Sequence, residues 1–346
     1  MVSIPSVSVA LCTHNGAAYV GEQVRSILAQ TVRPHQIVLS DDASTDGTVE
    51  VVQQVVAEFR AAASAVAAAG TSPTTAALEL TILRNDPPLG VARNFAQAMR
   101  HASGDLIALS DQDDRWMPDR LERALERLAD EPDLLLVHSD ARLVDGQLNP
   151  LGHTLLEALE VTEFERASIH DGEAFRVLLR RNLVTGATVV LRRDLVDLVG
   201  PIPESWIHDE WFAIIASAVG RIDLLESPLI DYRQHDTNQI GAEKPTLRQK
   251  ISKLREPRRE RNDHLVARAA DLVEKLDALA AAGVAIPVER RDAARGKQRH
   301  DQRRRTLPAV RVARIPGVLA ALARGDYRRF SRGAQDALRD LTQPDG

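Results

Sequence analysis

Residues 104–122 read GDLIALSDQDDRWMPDRLE, and this stretch decides the fold. The run 105–111 has the length and composition of a buried strand. It closes on the acidic cluster SDQDD, residues 110–114, and a helical pattern over 117–129 follows with Leu121, Leu125 and Leu128 on one face. A strand that ends in carboxylates and turns into an amphipathic helix is a unit of an open α/β sheet, whose ligand site lies beyond the carboxyl ends of its strands. Asp111 and Asp113, one residue apart at such an end, offer two hard oxygen ligands to a Mg²⁺ or Mn²⁺ that keeps its other positions for water and phosphate oxygens. Taken alone, an acidic turn leading into the next helix accounts for the same residues.

The same unit recurs upstream. Strands are expected at 7–12, 36–41 and 78–84, and another downstream at 133–140, with a helix over 19–30 that lines up Val20, Val24, Ile27 and Leu28. The first strand ends in Thr13, His14 and Asn15, and the second in SDDAST, residues 40–45, so three polar clusters converge on one sheet edge. Asp41 and Asp42 suit hydrogen bonds from a base or a ribose; a turn with an Asp capping the helix that starts near 46 or 47 is the plain alternative. The alanine-rich residues 61–77 read as a helix extension followed by a surface loop. From 171 to 235 the pattern predicts a helix over 172–182, a strand over 185–193, a helix containing 208–219 and a strand over 221–235. Beyond 241 the composition turns to charged, Ala/Leu/Arg-rich helix interrupted at Pro257, which places a boundary near 240.

Composition excludes several classes. The chain has 346 residues, 44% hydrophobic and 27% charged, enough to bury a large core. A net charge of −5 gives no general attraction to nucleic acid, and the single cysteine, Cys12, forms neither an intrachain disulfide nor a thiolate metal cluster. That cysteine usage fits a reducing cytoplasm, and with no segment of the roughly 20 apolar residues of a spanning helix a soluble or surface-associated protein is expected. No GxGxxG follows the first strand, and neither a GxxxxGK[ST] loop nor a GxSxG elbow occurs, which disfavours dehydrogenases, P-loop NTPases and α/β-hydrolases. A receiver-like phosphotransfer protein would need a lysine at a later strand end, where LLLVHSD stands.

Seven blocks together resemble glycosyltransferase family 2, particularly its rhamnosyltransferase-like branch: VSVALCTHNGAAYVGEQVRSILAQT, IVLSDDASTDGT, PPLGVARNFAQAM, GDLIALSDQDDRWMPDRLE, TGATVVLRRDL, HDEWF and YRQHDTNQIG, in that family's order over residues 6–240. The resemblance implies a GT-A fold, a Rossmann-like mixed sheet flanked by helices, with a donor half to about 140, an acceptor half over 141–240 and a helical, basic C-terminal region, 241–346. It implies donor contacts from Thr13, His14, Asn15, Asp41, Asp42, Arg93, Asn94 and Asp111. It implies Mg²⁺ or Mn²⁺ at Asp113 and Asp111 with His235 as a further ligand, and Asp209 as catalytic base. Without the resemblance, Asp209 is a first-turn carboxylate interacting with its helix dipole. Glu210 and Trp211 are placed toward the acceptor, a core role for Trp211 being the alternative. His14 stands where the family usually has a Tyr.

The expected activity is inverting transfer from a nucleoside-diphosphate sugar, dTDP-rhamnose by resemblance, to a glycan or lipid-linked acceptor; a non-catalytic scaffold of the same fold is the alternative. The C-terminal run 296–341 mixes basic clusters with an apolar helix face. That pattern fits peripheral contact with the inner face of an anionic membrane, a solvated basic face or a homodimer contact.

Overall fold

The computed structural model describes residues 5–68, 78–129, 131–235 and 257–345. Among them the elements run β1 (Val7–Thr13), α1 (Val20–Leu28), β2 (Gln36–Asp42), α2 (Thr48–Ala68), β3 (Glu79–Asn85), α3 (Val91–His101), β4 (Leu106–Ser110), β5 (Arg115–Trp116) and α4 (Arg120–Ala129). There follow β6 (Leu134–Val144), β7 (Pro150–Thr154), α5 (Leu155–Ala158), α6 (Glu163–His170), α7 (Ala174–Leu178), β8 (Val190–Arg192), α8 (Asp194–Val199), α9 (His208–Val219) and β9 (Arg221–Arg233). The C-terminal helices are α10 (Arg258–Ala281), α11 (Val288–Arg305), α12 (Arg311–Ala323), α13 (Asp326–Phe330) and α14 (Ala334–Thr342).

One mixed sheet organises the chain, in the order β3-β2-β1-β4-β8-β6-β9-β5, with β7 beside β6. The first four strands are parallel, as their helical crossovers require. Strand β8 enters antiparallel between β4 and β6, and β9 runs parallel to β6. Period-two alternation divides β1 between two cores: Val7, Val9 and Leu11 meet α1, α2 and α4 on one face, while Ala10 and Cys12 meet α3, α7 and α9 on the other.

The C-terminal helices are part of this architecture. Leu272, Leu276 and Leu279 of α10 and Ala294 of α11 join the second core beside Trp206 and Trp211. Further on, basic residues that the sequence assigns to surface clusters lie inside: Arg258, Arg304 and Arg314 are buried. Arg304 and Arg261 both bind the buried carboxylate of Asp340, which also accepts from Tyr327 at 2.7 Å. The sequence records charge but not the acid that meets it across the fold.

Two predicted segments change form. The strand expected over 185–193 shortens to β8, and Gly186–Thr188 forms a 3₁₀ turn instead. The turn brings Gly186 so close to His208 that an added Cβ would lie 2.7 Å from its Nε2, so a larger residue would have to displace the buried His208 ring. The helix expected over 172–182 is cut to α7, while β6 runs on to Val144. Residues 236–256, with the last part of the YRQHDTNQIG block, and most of the loop read over 61–77 lie outside the described residues.

Candidate donor and acceptor site

The ends of β1, β2 and β4 lie side by side, Thr13 opposite Asp41 and Leu11 opposite Ser110, so their terminal loops share one edge. Asp41 is committed internally: it accepts from Thr13 Oγ1 at 2.6 Å and from the Ser44 amide at 3.0 Å. His14 Nδ1 lies 2.6 Å from the Asp42 carbonyl, and Asn15, in the left-handed region at φ 48°, accepts from the Thr45 amide at 2.9 Å. These residues hold the two loops in register. The Asp42 carboxylate accepts from the amides of Leu89 at 2.6 Å and Gly90 at 2.9 Å, fixing the PPLG turn over the site. Asn94 closes the same corner, donating to the Ser40 carbonyl at 3.0 Å. Arg93 is turned away, exposed and paired with Glu204 at 3.0 Å.

Gln112 is the residue sequence reading missed at this edge. Its Oε1 accepts from the His14 amide at 2.8 Å and its Nε2 donates to the His14 carbonyl at 3.0 Å, a two-point clamp between the β1 and β4 loops. Its position inside the acidic cluster was the one available signal.

The carboxylates beyond β4 are crowded. Burial pushes the Asp111 carboxyl up to about 7, with the charges of Asp113 and Asp209 adding to it and Arg120 opposing. Burial also raises Asp113, against the hydrogen bond and charge of His235, whose Nε2 sits 2.9 Å from Asp113 Oδ2. Asp114, a third acid not singled out from the sequence, accepts the Arg233 amide at 3.0 Å through one oxygen; the other is buried with no hydrogen-bond partner. Burial and the charges of Asp113 and Asp111 raise it further. Tyr19 stacks on His235 at 4.8 Å and lies under the Arg233 guanidinium, closing the outer side.

Mutually repelling carboxylates with a spare buried oxygen fit a divalent cation, which would relieve the repulsion and take its remaining ligands from water and phosphate. Among the described residues no cluster of three or more candidate ligating side chains is assembled, so Asp113, Asp111 and His235, read from the sequence as metal ligands, do not form a ready-made site. Below them Arg120 is buried, donates to the Ala187 carbonyl at 2.7 Å and stacks on Trp116 at 3.8 Å, a fixed counter-charge under the acids.

Asp209 stands in the first turn of α9 and is 7% exposed. Its two carboxylate oxygens accept from the Gly186 amide at 2.9 Å and the Glu210 amide at 2.8 Å. Burial outweighs these bonds and the Arg268 charge, and lifts its carboxyl to about 6. The charges of Asp111, Asp113, Asp114 and Asp209 all act on Tyr232, so α9 brings Asp209 within electrostatic range of the acids beyond β4. The neighbours of Asp209 are otherwise employed. Glu210 pairs with Arg268 of α10, and Trp211, 1% exposed, packs on Trp206, so the core alternative for Trp211 is the one observed.

A mixed α/β sheet whose leading strands are parallel and end in polar and acidic loops is the arrangement of the GT-A fold. The chain matches the family model for "Glycosyl transferase family 2" over residues 8–198, more than half its length, and it belongs to that family. It is 24% identical over 243 residues to the dTDP-rhamnosyl transferase RfbG of Shigella flexneri, covering 67% of this chain and 74% of that protein. An uncharacterised protein of Mycobacterium tuberculosis is 26% identical over 234 residues, or 66% of this chain. The chain spans 59% of the length of that relative and 38% of another from Bacillus subtilis.

Among solved structures, the mannosyltransferase PcManGT of Pyrobaculum calidifontis, in complex with GDP-Man and Mn²⁺, superposes with a TM-score of 0.54 at 21% identity, covering 97% of this chain and 78% of that one. TarS 1-349 of S. aureus, in complex with UDP-GlcNAc, gives a TM-score of 0.56 at 13% identity over 97% of this chain and 90% of its own. These likenesses fix the GT-A fold.

Proposed function

We propose that the chain is an inverting, divalent-metal-dependent glycosyltransferase that moves a sugar from a nucleoside diphosphate to a hydroxyl of a polysaccharide or lipid-linked glycan at the inner face of the cell membrane. The observation that carries this reading is Asp209: one buried carboxyl, lifted to about 6, held by two backbone amides and close enough to Asp111 for their charges to interact. At neutral pH it is ionised and fixed in direction, as a general base must be.

The loops of Thr13–Asn15 and Asp41–Asp42 form the floor for the nucleoside, with Asp42 and Asn94 holding the PPLG turn beside it. Asp111, Asp113 and His235 are the residues that would hold the metal, which when bound neutralises the diphosphate as it leaves. The acceptor hydroxyl attacks the anomeric carbon as its proton passes to Asp209, and the bond to the diphosphate breaks with its electron pair on the leaving oxygen. A single base on the face opposite the leaving group gives inversion. The likeness to RfbG favours dTDP-rhamnose as donor.

Calorimetric titration with dTDP-rhamnose, UDP-glucose, UDP-galactose and GDP-mannose, each with and without Mn²⁺, tests the proposal. Manganese-dependent binding of one donor is expected; binding of none by the folded protein would remove it in favour of a scaffold.

A further inference from the structure

Helix α12 is amphipathic in the wrong sense for a surface helix. The face it turns inward carries Arg314, Val318 and Ala321, the arginine fully buried and donating to the carbonyls of Pro308, Asp340 and Gln343 at 2.7, 2.9 and 2.7 Å. The face it turns outward is apolar. Val312, Ile315, Leu319 and Leu322 recur at intervals of three, four and three residues, one stripe along the helix, and they are 73%, 42%, 57% and 41% exposed. Val310, just before the helix, is 68% exposed.

The charged side chains along this helix are arginines, of which Arg314 is buried and Arg311 is exposed. Residues 306–325 contain Arg311, Arg314 and Arg324 and no acid. Arg311 sits in the first turn of α12, where the helix dipole disfavours a cation and no acidic side chain offsets it. Arg311, Arg328 and Arg329 have no ion-pair partner among the described residues, whereas Arg324 pairs with Asp326. An anionic bilayer presents both what the stripe lacks, a hydrocarbon boundary for the apolar side chains and a sheet of negative charge for the arginines.

We propose that α12 is a membrane-docking helix that lies in the plane of an anionic lipid surface, its Val312, Ile315, Leu319 and Leu322 side chains entering the boundary between headgroups and chains. The buried Arg314 anchors the helix to the protein from behind, so the outward face is presented ready formed rather than folding on contact. This gives a physical surface to the membrane setting of the transfer reaction proposed above.

The test is cosedimentation of the full chain with vesicles of phosphatidylcholine alone and of phosphatidylcholine with about 30% phosphatidylglycerol, compared with Ile315→Ser/Leu319→Ser and with Arg311→Glu. Both altered positions of the double variant are exposed, so circular dichroism and donor binding should match the parent. Binding to the anionic vesicles, weakened at least about tenfold in the double variant and reduced by Arg311→Glu or high salt, is the expected result. Binding to neither vesicle, or equal binding by the double variant, would overturn the proposal. So would a dimer in sedimentation that the double variant dissolves, which would assign the stripe to a second copy. No sugar is present in these measurements, so their failure leaves the transferase reading standing, and failed donor binding leaves the docking surface standing.

Discussion

Replacing Asp209 by Asn changes the pH dependence of stability by a calculable amount. Burial holds the native carboxyl at about 6 against an ordinary 3.8. The native state therefore binds a proton more tightly than the unfolded chain, and the stability this contributes is complete below pH 4 and lost as pH rises through 6. A difference of roughly two pKa units corresponds to about 3 kcal/mol. The Asn variant has no such titration. It also loses one hydrogen bond, because both carboxylate oxygens accept backbone amides and an amide side chain offers only one acceptor. That cost is the same at every pH and cancels when two pH values are compared. Urea unfolding of parent and variant at pH 4 and pH 7 should show the variant gaining about 2.4 kcal/mol relative to the parent between the two, since at pH 4 the unfolded carboxyl is still partly protonated. Parallel profiles would show an ordinary carboxyl and would refute Asp209 as a base poised by burial. In the parent, kcat/KM should fall below pH 6, and the variant should bind donor without transferring it.

Asp113→Ala should weaken manganese-dependent donor binding at least about tenfold in calorimetry while metal-free binding stays unchanged. Gln112→Ala removes both ties between the β1 and β4 loops and should raise KM for the donor by roughly tenfold with little effect on the unfolding midpoint. Arg120→Met strips the buried counter-charge from beneath Asp111 and Asp114 and should destabilise the fold by about 3 kcal/mol or more in denaturant titration.

The sequence was most legible where periodicity and strand-end chemistry agree. Strands β1, β2 and β4 lie within one or two residues of their expected bounds because short apolar runs bounded by polar clusters have little other way to be buried. Residues 185–193 misled for a physical reason: the β-branched Thr188, Val189 and Val190 carry strand propensity, but the Gly186 amide is taken by Asp209, a demand from 23 positions away. The acids of 110–114 were visible as a group, yet the distinct states of Asp111, Asp113 and Asp114 depend on Arg120, His235 and the Arg233 backbone. Arg93 carried the same block signature as Asn94, and only the fold shows one facing Glu204 and the other the β2 carbonyl.

The composition break near 240 hides a connection that can be measured. Arg268 of α10 pairs with Glu210, stacks on Trp206 at 3.8 Å and places its charge where it lowers the Asp209 carboxyl. The helical C-terminal region thus supplies part of the electrostatic surroundings of Asp209. Removing that cation withdraws what opposes the effect of burial, so in Arg268→Ala the base should remain protonated to higher pH and the acidic limb of kcat/KM should move upward. Arg268→Lys keeps the charge without the planar stacking and should restore the limb toward its parental position even if stability stays lower. A purely structural role would lower activity in Arg268→Ala at all pH values alike. An unmoved limb, with both variants folded, would therefore separate the C-terminal helices from the chemistry of Asp209.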